Sequence, residues 1–177
     1  MSWWLGAGAL LAILSGLFVP LWIVGIGTLM VVAAAVTIVV GVVARLGKVG
    51  FRGGLPYLQV LAGVAWLVAW GIVDAYGLIA DAPLGRFSHW TAAAVVVGVM
   101  QIIVGSVAYL VPVLVGPPIG ANLKRMQSAP WIPLVLANLG GVALVAGLSE
   151  ASLVLLALWA IDVIRRLATL RKPQRPV

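Results

Sequence analysis

The sequence contains no cysteine, one histidine and little charge, since only 8% of its 177 residues are charged. The absence of cysteine excludes disulfides, thiolate metal sites, haem thioether attachment and iron–sulfur ligation. A soluble domain has about a quarter of its residues charged, so this chain cannot build such a water-facing surface. Nucleophile–histidine–acid sets, phosphate-binding loops and paired carboxylates at catalytic spacing are also missing. We therefore do not expect the chain to be an enzyme on its own.

The sequence is instead dominated by long apolar runs, and 64% of its residues are hydrophobic. Lipid is the expected solvent for most of these side chains. Inside a bilayer every backbone polar group must be paired within the chain, which leaves helices or a closed barrel. The runs are apolar on all sides, whereas barrel strands alternate in polarity. We predict an all-α, polytopic transmembrane helix bundle embedded in a lipid bilayer.

Proline, glycine and polar residues divide the chain into six predicted transmembrane helices, which form one domain over residues 1–170. Val19-Pro20 is the break in the first apolar run, because proline lacks a backbone donor and the residue before it avoids the helical region. The N-terminal segment lacks a basic region and a small-residue cleavage site, so we interpret it as a retained first helix. Residues 171–177 form a basic tail. The predicted helices are 3–19, 21–44, 56–80, 88–115, 131–148 and 151–170.

The positive charges predict the orientation of this bundle, because short cytoplasmic loops carry an excess of lysine and arginine. With six helices, Arg86 alone lies on the outer side, and all other lysines and arginines lie on the inner side. Both termini are therefore predicted to be cytoplasmic, in a multi-pass plasma-membrane protein. The basic residues that give the net charge of +7 lie at the ends of apolar runs. This placement indicates that they fix the orientation of the helices in the membrane and do not bind nucleic acid. The inner residues are Arg45, Lys48, Arg52, Lys124, Arg125, Arg165, Arg166, Arg171, Lys172 and Arg175.

A few polar residues fall within the predicted helices, where polar groups are costly and commonly functional. Asp162 precedes Arg165 and Arg166 by three and four residues, which predicts an ion pair at the membrane interface. The amides are expected to form interhelical hydrogen bonds worth about 0.6 kcal/mol each. Asp74 is expected at the interface or facing the bundle, with a proton relay as the alternative. The full set is Gln59, Asp74, His89, Gln101, Asn138 and Asp162.

From Ser88 the sequence reads SHWTAAAVVVGVMQIIVGSVAYLVPVLVGPPIGANLKRMQSAPWIP. About residues 86–140 resemble helices two and three of the catalytic subunit of the haem–copper oxidases. The similarity extends to the membrane regions of actinobacterial copper-oxidase-like and nitrite-reductase-like proteins. That family has a haem-ligating histidine near the outer end of a helix, then glycine, an aromatic-aliphatic-proline segment, a basic loop and a tryptophan that opens the next helix. The matching positions are His89, Gly105, Tyr109, Pro112, Gly116, Lys124 or Arg125, and Trp131.

The resemblance implies that His89 is a candidate ligand of haem b. The sequence has no other histidine, so the family's copper ligands and remaining haem ligands are missing, and so are half of its helices. The resemblance therefore implies a non-catalytic membrane subunit or anchor beside a redox partner on the outer face. Other membrane subunits or further copies of the chain are the expected partners.

Two other classes of protein remain open from the sequence. The first is a small transporter or channel-like protein, in which Pro20, Pro112 and Pro133 would mark broken helices near a binding site. The second is a membrane assembly or structural subunit that packs through faces rich in small residues. Without the family resemblance, His89 is interpreted as an interfacial residue at the start of a helix.

Overall fold

The computed structural model describes residues 20–48, 54–80, 87–116, 119–126, 129 and 131–170. Within those ranges the chain is helical apart from short turns, and no strand occurs in them. The prediction of an all-α protein is confirmed. The helices are α1 (Leu21–Lys48), α2 (Leu55–Ile79), α3 (Ser88–Leu114), α4 (Ile119–Met126), α5 (Trp131–Val145) and α6 (Ser149–Ala168).

Three of these helices are long and apolar enough to cross a membrane: α1 over Leu21–Arg45, α2, and α3. The apolar helix α5 has 15 residues, or about 22 Å at 1.5 Å per residue, whereas the hydrocarbon core is about 30 Å thick. Helix α6 has 20 residues but includes two acidic residues and the arginine pair at its end. The predicted first helix, 3–19, and the tail, 171–177, lie outside the described residues.

The observed ends of the two C-terminal helices differ from the predicted ones for a local reason. Helix α5 ends at Val145, before the predicted 148, because Gly147 adopts a φ of 77°. The Leu148 N–H donates to the Ala143 carbonyl at 2.8 Å, and the Gly147 N–H donates to the Leu144 carbonyl at 3.1 Å. These two bonds form a Schellman C-cap, which satisfies the last carbonyls of the helix. Helix α6 then starts at Ser149, ahead of the predicted 151.

Helix α4 was not predicted, since the sequence between Gly116 and Pro130 reads as a polar loop. Asn122 and Met126 lie one turn apart on α4 and are both buried, whereas Lys124 is exposed. One face of this short helix is therefore packed and the other is open. Prolines on both sides bound the segment, and its length is too short for periodicity alone to reveal a helix.

Helix α3 departs from α-helical geometry over its second and third turns. Residues Ala94–Val99 form a π-helix, with α-helical segments Ser88–Ala93 before it and Met100–Leu114 after it. Ala94, Val97 and Gly98 of the π-helix are buried. Such wide turns are rare and occur frequently at functional sites.

By its contacts the chain divides into two units. The first comprises the described residues of Met1–Phe51 and Leu67–Thr91. In it α1 packs closely on the second half of α2, because a Cβ at Gly25 would lie 2.9 Å from the Ala75 carbonyl oxygen. A Cβ at Gly71 would likewise lie 2.5 Å from a methyl of Val32. Glycine at these positions permits the close approach of the helices.

The second unit comprises the described residues of Arg52–Trp66 and Ala92–Val177. Its core is formed by the buried side chains of Val97, Ala137 and Trp159, from α3, α5 and α6. The Ser152 hydroxyl of α6 also donates to the Gly140 carbonyl of α5 at 2.8 Å. Further apolar side chains that pack on this core are Trp66, Val104, Leu136, Leu156 and Val163.

Candidate functional site

His89 lies in the first turn of α3, and its side chain is exposed. Within the described ranges it takes part in no hydrogen bond or ion pair, and those ranges contain no group of three or more potential metal ligands. Met100 is the one methionine on α3, eleven residues further along, or roughly 16 Å at 1.5 Å per residue. It is too distant to serve as a second axial ligand to the same iron. The described residues therefore offer His89 no cluster of metal ligands and no methionine on its own helix within reach of the same iron.

The other residues that match the family pattern differ in how deeply they are buried. Gly105 is buried where α3 meets α2, and Pro112 is buried inside α3, which continues to Leu114. Gly116 has a φ of 85° immediately after α3, a conformation that favours glycine. Tyr109, Lys124 and Trp131 are exposed.

One of the three predicted interhelical amide contacts is present. The indole N–H of Trp66 on α2 donates to Asn138 Oδ1 on α5 at 2.9 Å. Asn138 Nδ2 in turn donates to the Leu134 carbonyl at 2.7 Å, so the amide is paired at both ends. The predicted role of Asn138 as a contact between helices is confirmed.

For the two glutamines the described residues show no such contact. Gln59 on α2 and Gln101 on α3 are both completely buried, at 0% exposure. Neither amide nitrogen nor amide oxygen has a hydrogen-bond partner in the described part of the chain. The indole nitrogen of Trp159 is buried without a partner there as well. Since buried polar groups are nearly always hydrogen-bonded, these side chains require an explanation.

The predicted ion pair on α6 is confirmed. Asp162 Oδ1 accepts a bond from Arg165 Nη2 at 3.0 Å, and Asp162 Oδ2 accepts one from Arg166 Nε at 2.6 Å. The two arginines differ in environment, because the side chain of Arg165 is 70% exposed and that of Arg166 is 5% exposed. The exposed pair contributes little to stability, whereas the buried pair neutralises a charge that is costly to leave alone.

Arg166 also binds the last residue of α4 and Ala129 beyond it, which the sequence did not predict. Its Nη1 donates to the Met126 carbonyl at 3.3 Å, and its Nη2 donates to the Ala129 carbonyl at 3.3 Å. Ala129 has a φ of 42°, in the left-handed region that non-glycine residues seldom adopt. Arg166 therefore binds the end of α4 and the strained backbone of Ala129 from a helix about 40 residues away in sequence. No local pattern signals this contact.

Two further sequence-based predictions concern Asp74 and the prolines. Asp74 is half-buried on α2, and no hydrogen bond or ion pair involves it within the described ranges, so its proton-relay role stays a prediction. Pro112 and Pro133 lie inside α3 and α5 and break neither helix, and Pro20 directly precedes α1. The broken helices that favoured a transporter are not found at Pro112 or Pro133.

The described helices define an all-α protein with three helices able to span a membrane. No protein-family model matches the chain, and neither the curated proteins nor the solved structures contain a match.

Proposed function

We propose that this chain is a non-catalytic membrane subunit or anchor, related to the haem–copper oxidase fold, that works beside a redox partner on the outer face. The exposed position of His89 carries the proposal. An imidazole at a helix start, with no partner in the described ranges, is open to a group held by a second chain. Histidine is a common ligand of haem iron, and a haem b would supply one-electron transfer.

The proposed topology has six membrane spans with both termini in the cytoplasm. The three long apolar helices support it, together with the basic residues near the ends of the helices. Arg45 and Lys48 lie in the last turn of α1, and Arg165 and Arg166 lie in the last turn of α6. Lys124 is exposed on α4, which follows α3. In the six-span topology all of these residues lie on the cytoplasmic side, where short loops carry an excess of lysine and arginine.

The topology is testable by cysteine labelling, because the natural chain has no cysteine to interfere. We expect a Gly85→Cys variant to react with a membrane-impermeant maleimide in intact spheroplasts. Ser128→Cys and Gln174→Cys should react only after permeabilisation. Labelling of Ser128→Cys in intact spheroplasts, or protection of Gly85→Cys, would contradict the proposed orientation. The unmodified chain is the control for background labelling.

The redox role is testable through His89. After gentle detergent extraction of the complex, we expect a b-type haem absorption band or a co-purifying haem or copper protein. A His89→Ala variant should lose the haem band, and Ser88→Ala, its exposed neighbour, should retain it. Haem content from the reduced-minus-oxidised spectrum and partner identity from mass spectrometry are the two readouts. An extract of the natural chain with neither the band nor a partner would overturn the proposal.

A further inference from the structure

Three buried side chains in the second unit carry polar atoms without a hydrogen-bond partner in the described part of the chain. These atoms are the amide nitrogen and oxygen of Gln59, the same atoms of Gln101, and the indole nitrogen of Trp159. Both glutamines have no exposed surface. Leaving such groups unpaired carries the full penalty of desolvation, so a bound partner would stabilise the structure.

A short repeated pattern places the two glutamines at one helix contact. Helix α2 contains Gln59-Val-Leu-Ala-Gly63, and α3 contains Gln101-Ile-Ile-Val-Gly105. Residues four apart share a helix face, so each glutamine lies one turn before a glycine on the same side.

These two glycines mark where the helices touch. A Cβ at Gly63 would lie 2.5 Å from the Gly98 carbonyl oxygen, and one at Gly105 would lie 2.6 Å from the Pro56 carbonyl oxygen. The two segments therefore run antiparallel. Gln59 lies near the level of Gly105, and Gln101 lies near the level of Gly63.

The same part of the unit contains Trp159. Val97 lies one turn before Gln101 on α3 and packs in the core with Trp159. Trp66, two turns after Gln59 on α2, packs against that core too. Both glutamines thus lie on helix faces adjacent to the core that holds the unpaired indole. The π-helix Ala94–Val99 ends directly before this point, which is a separate sign of a functional position.

The chemistry of these five atoms restricts what they bind. All are neutral, so an ion would be taken out of water without a compensating charge, which is strongly unfavourable. The three nitrogens carry five N–H donors, which need acceptors, and the two amide oxygens need donors, so the ligand must both accept and donate hydrogen bonds. The packing around both amides is closed, so the ligand must be small. We propose that Gln59, Gln101 and Trp159 form an internal site for a water-sized neutral molecule, namely water, that bridges α2, α3 and α6.

The site is testable by NMR on the full chain in lipid nanodiscs with ¹⁵N-labelled glutamine side chains. The chain has four glutamines, and Gln59→Met and Gln101→Met assign the two buried signals. We expect the amide protons of both residues to show nuclear Overhauser cross-peaks to water. Cross-peaks that join the two amides to each other, with none to water, would overturn the proposal in favour of a direct amide–amide bond. The absence of both kinds of cross-peak would overturn it as well.

A water molecule shared by the three residues leads to a second prediction. If one molecule is shared, Gln101→Met should weaken the water cross-peak of Gln59, and Gln59→Met should weaken that of Gln101. Trp159→Phe removes only the indole N–H and should weaken both, which provides a test if a methionine variant does not fold. Gln127→Met is the matched control and should leave both cross-peaks unchanged. Cross-peaks that respond only to their own substitution would contradict a shared site. The inference is independent of His89 and of the proposed redox role.

Discussion

Replacing Asp162 with leucine is expected to lower the free energy of unfolding by about 3 to 5 kcal/mol. The substitution removes the carboxylate that pairs with the buried guanidinium of Arg166, since the bond from its Nε to Asp162 Oδ2 at 2.6 Å is lost. Its bonds to the Met126 and Ala129 carbonyls are longer, at 3.3 Å each. The measurement is reversible unfolding in mixed detergent micelles, followed by circular dichroism.

Arg165 provides the matched control for this prediction. It bonds the same carboxylate at 3.0 Å, but its side chain is mostly exposed. Arg165→Gln should therefore change the free energy of unfolding by less than about 1 kcal/mol. The double variant Asp162→Leu/Arg166→Met should recover much of the loss, because an apolar pair often replaces a buried ion pair without penalty. A loss for Asp162→Leu no larger than that for Arg165→Gln would contradict the role of the buried pair.

Adding one methyl group at Gly63 is expected to destabilise the protein by about 1 to 3 kcal/mol. The new Cβ would lie 2.5 Å from the Gly98 carbonyl oxygen and 2.7 Å from Ile102 Cγ1. The first of these atoms belongs to the backbone, so relief requires α2 and α3 to move apart. The loss should appear in the same micelle unfolding measurement, although alanine is the better helix former.

Gly27 on α1 is the matched position for this test. A Cβ there meets no atom within 4 Å in the described structure. Gly27→Ala should leave stability unchanged or raise it by up to about 1 kcal/mol, through helix propensity alone. The two glycine substitutions are therefore expected to have opposite signs. Equal effects at Gly63 and Gly27 would show that the close contact of α2 and α3 does not form.

The helices were largely predictable because their boundaries depend on local chemistry. Long apolar runs and the flanking prolines and glycines placed α1, α2 and α3 within a few residues of their observed ends. Helix α4 was missed, because a helix of eight residues is too short for its periodicity to be recognised in the sequence. The ion pair of Asp162 with the arginines was predictable for the same reason, since helical spacing alone brings them together.

The contacts of the buried polar side chains could not be predicted, because they join segments that are distant in sequence. Trp66 and Asn138 are 72 residues apart, and nothing near either residue indicates the other. In the sequence, Gln59, Gln101 and Asn138 have the same context, since each is an amide in an apolar helix. Only the packing distinguishes the paired asparagine from the two unpaired glutamines.

The π-helix in α3 affects which side of the helix the buried residues occupy. Ala93, Val97, Gln101 and Gly105 are all buried and follow each other at intervals of four residues. In a regular α-helix each residue turns by about 100°, so every such interval shifts the buried side by about 40°. The i→i+5 pairing of Ala94–Val99 widens the turn and reduces this shift. The wide turn thus keeps a four-residue repeat in phase with the helix interface, so that Gln101 lies on the same side as Val97.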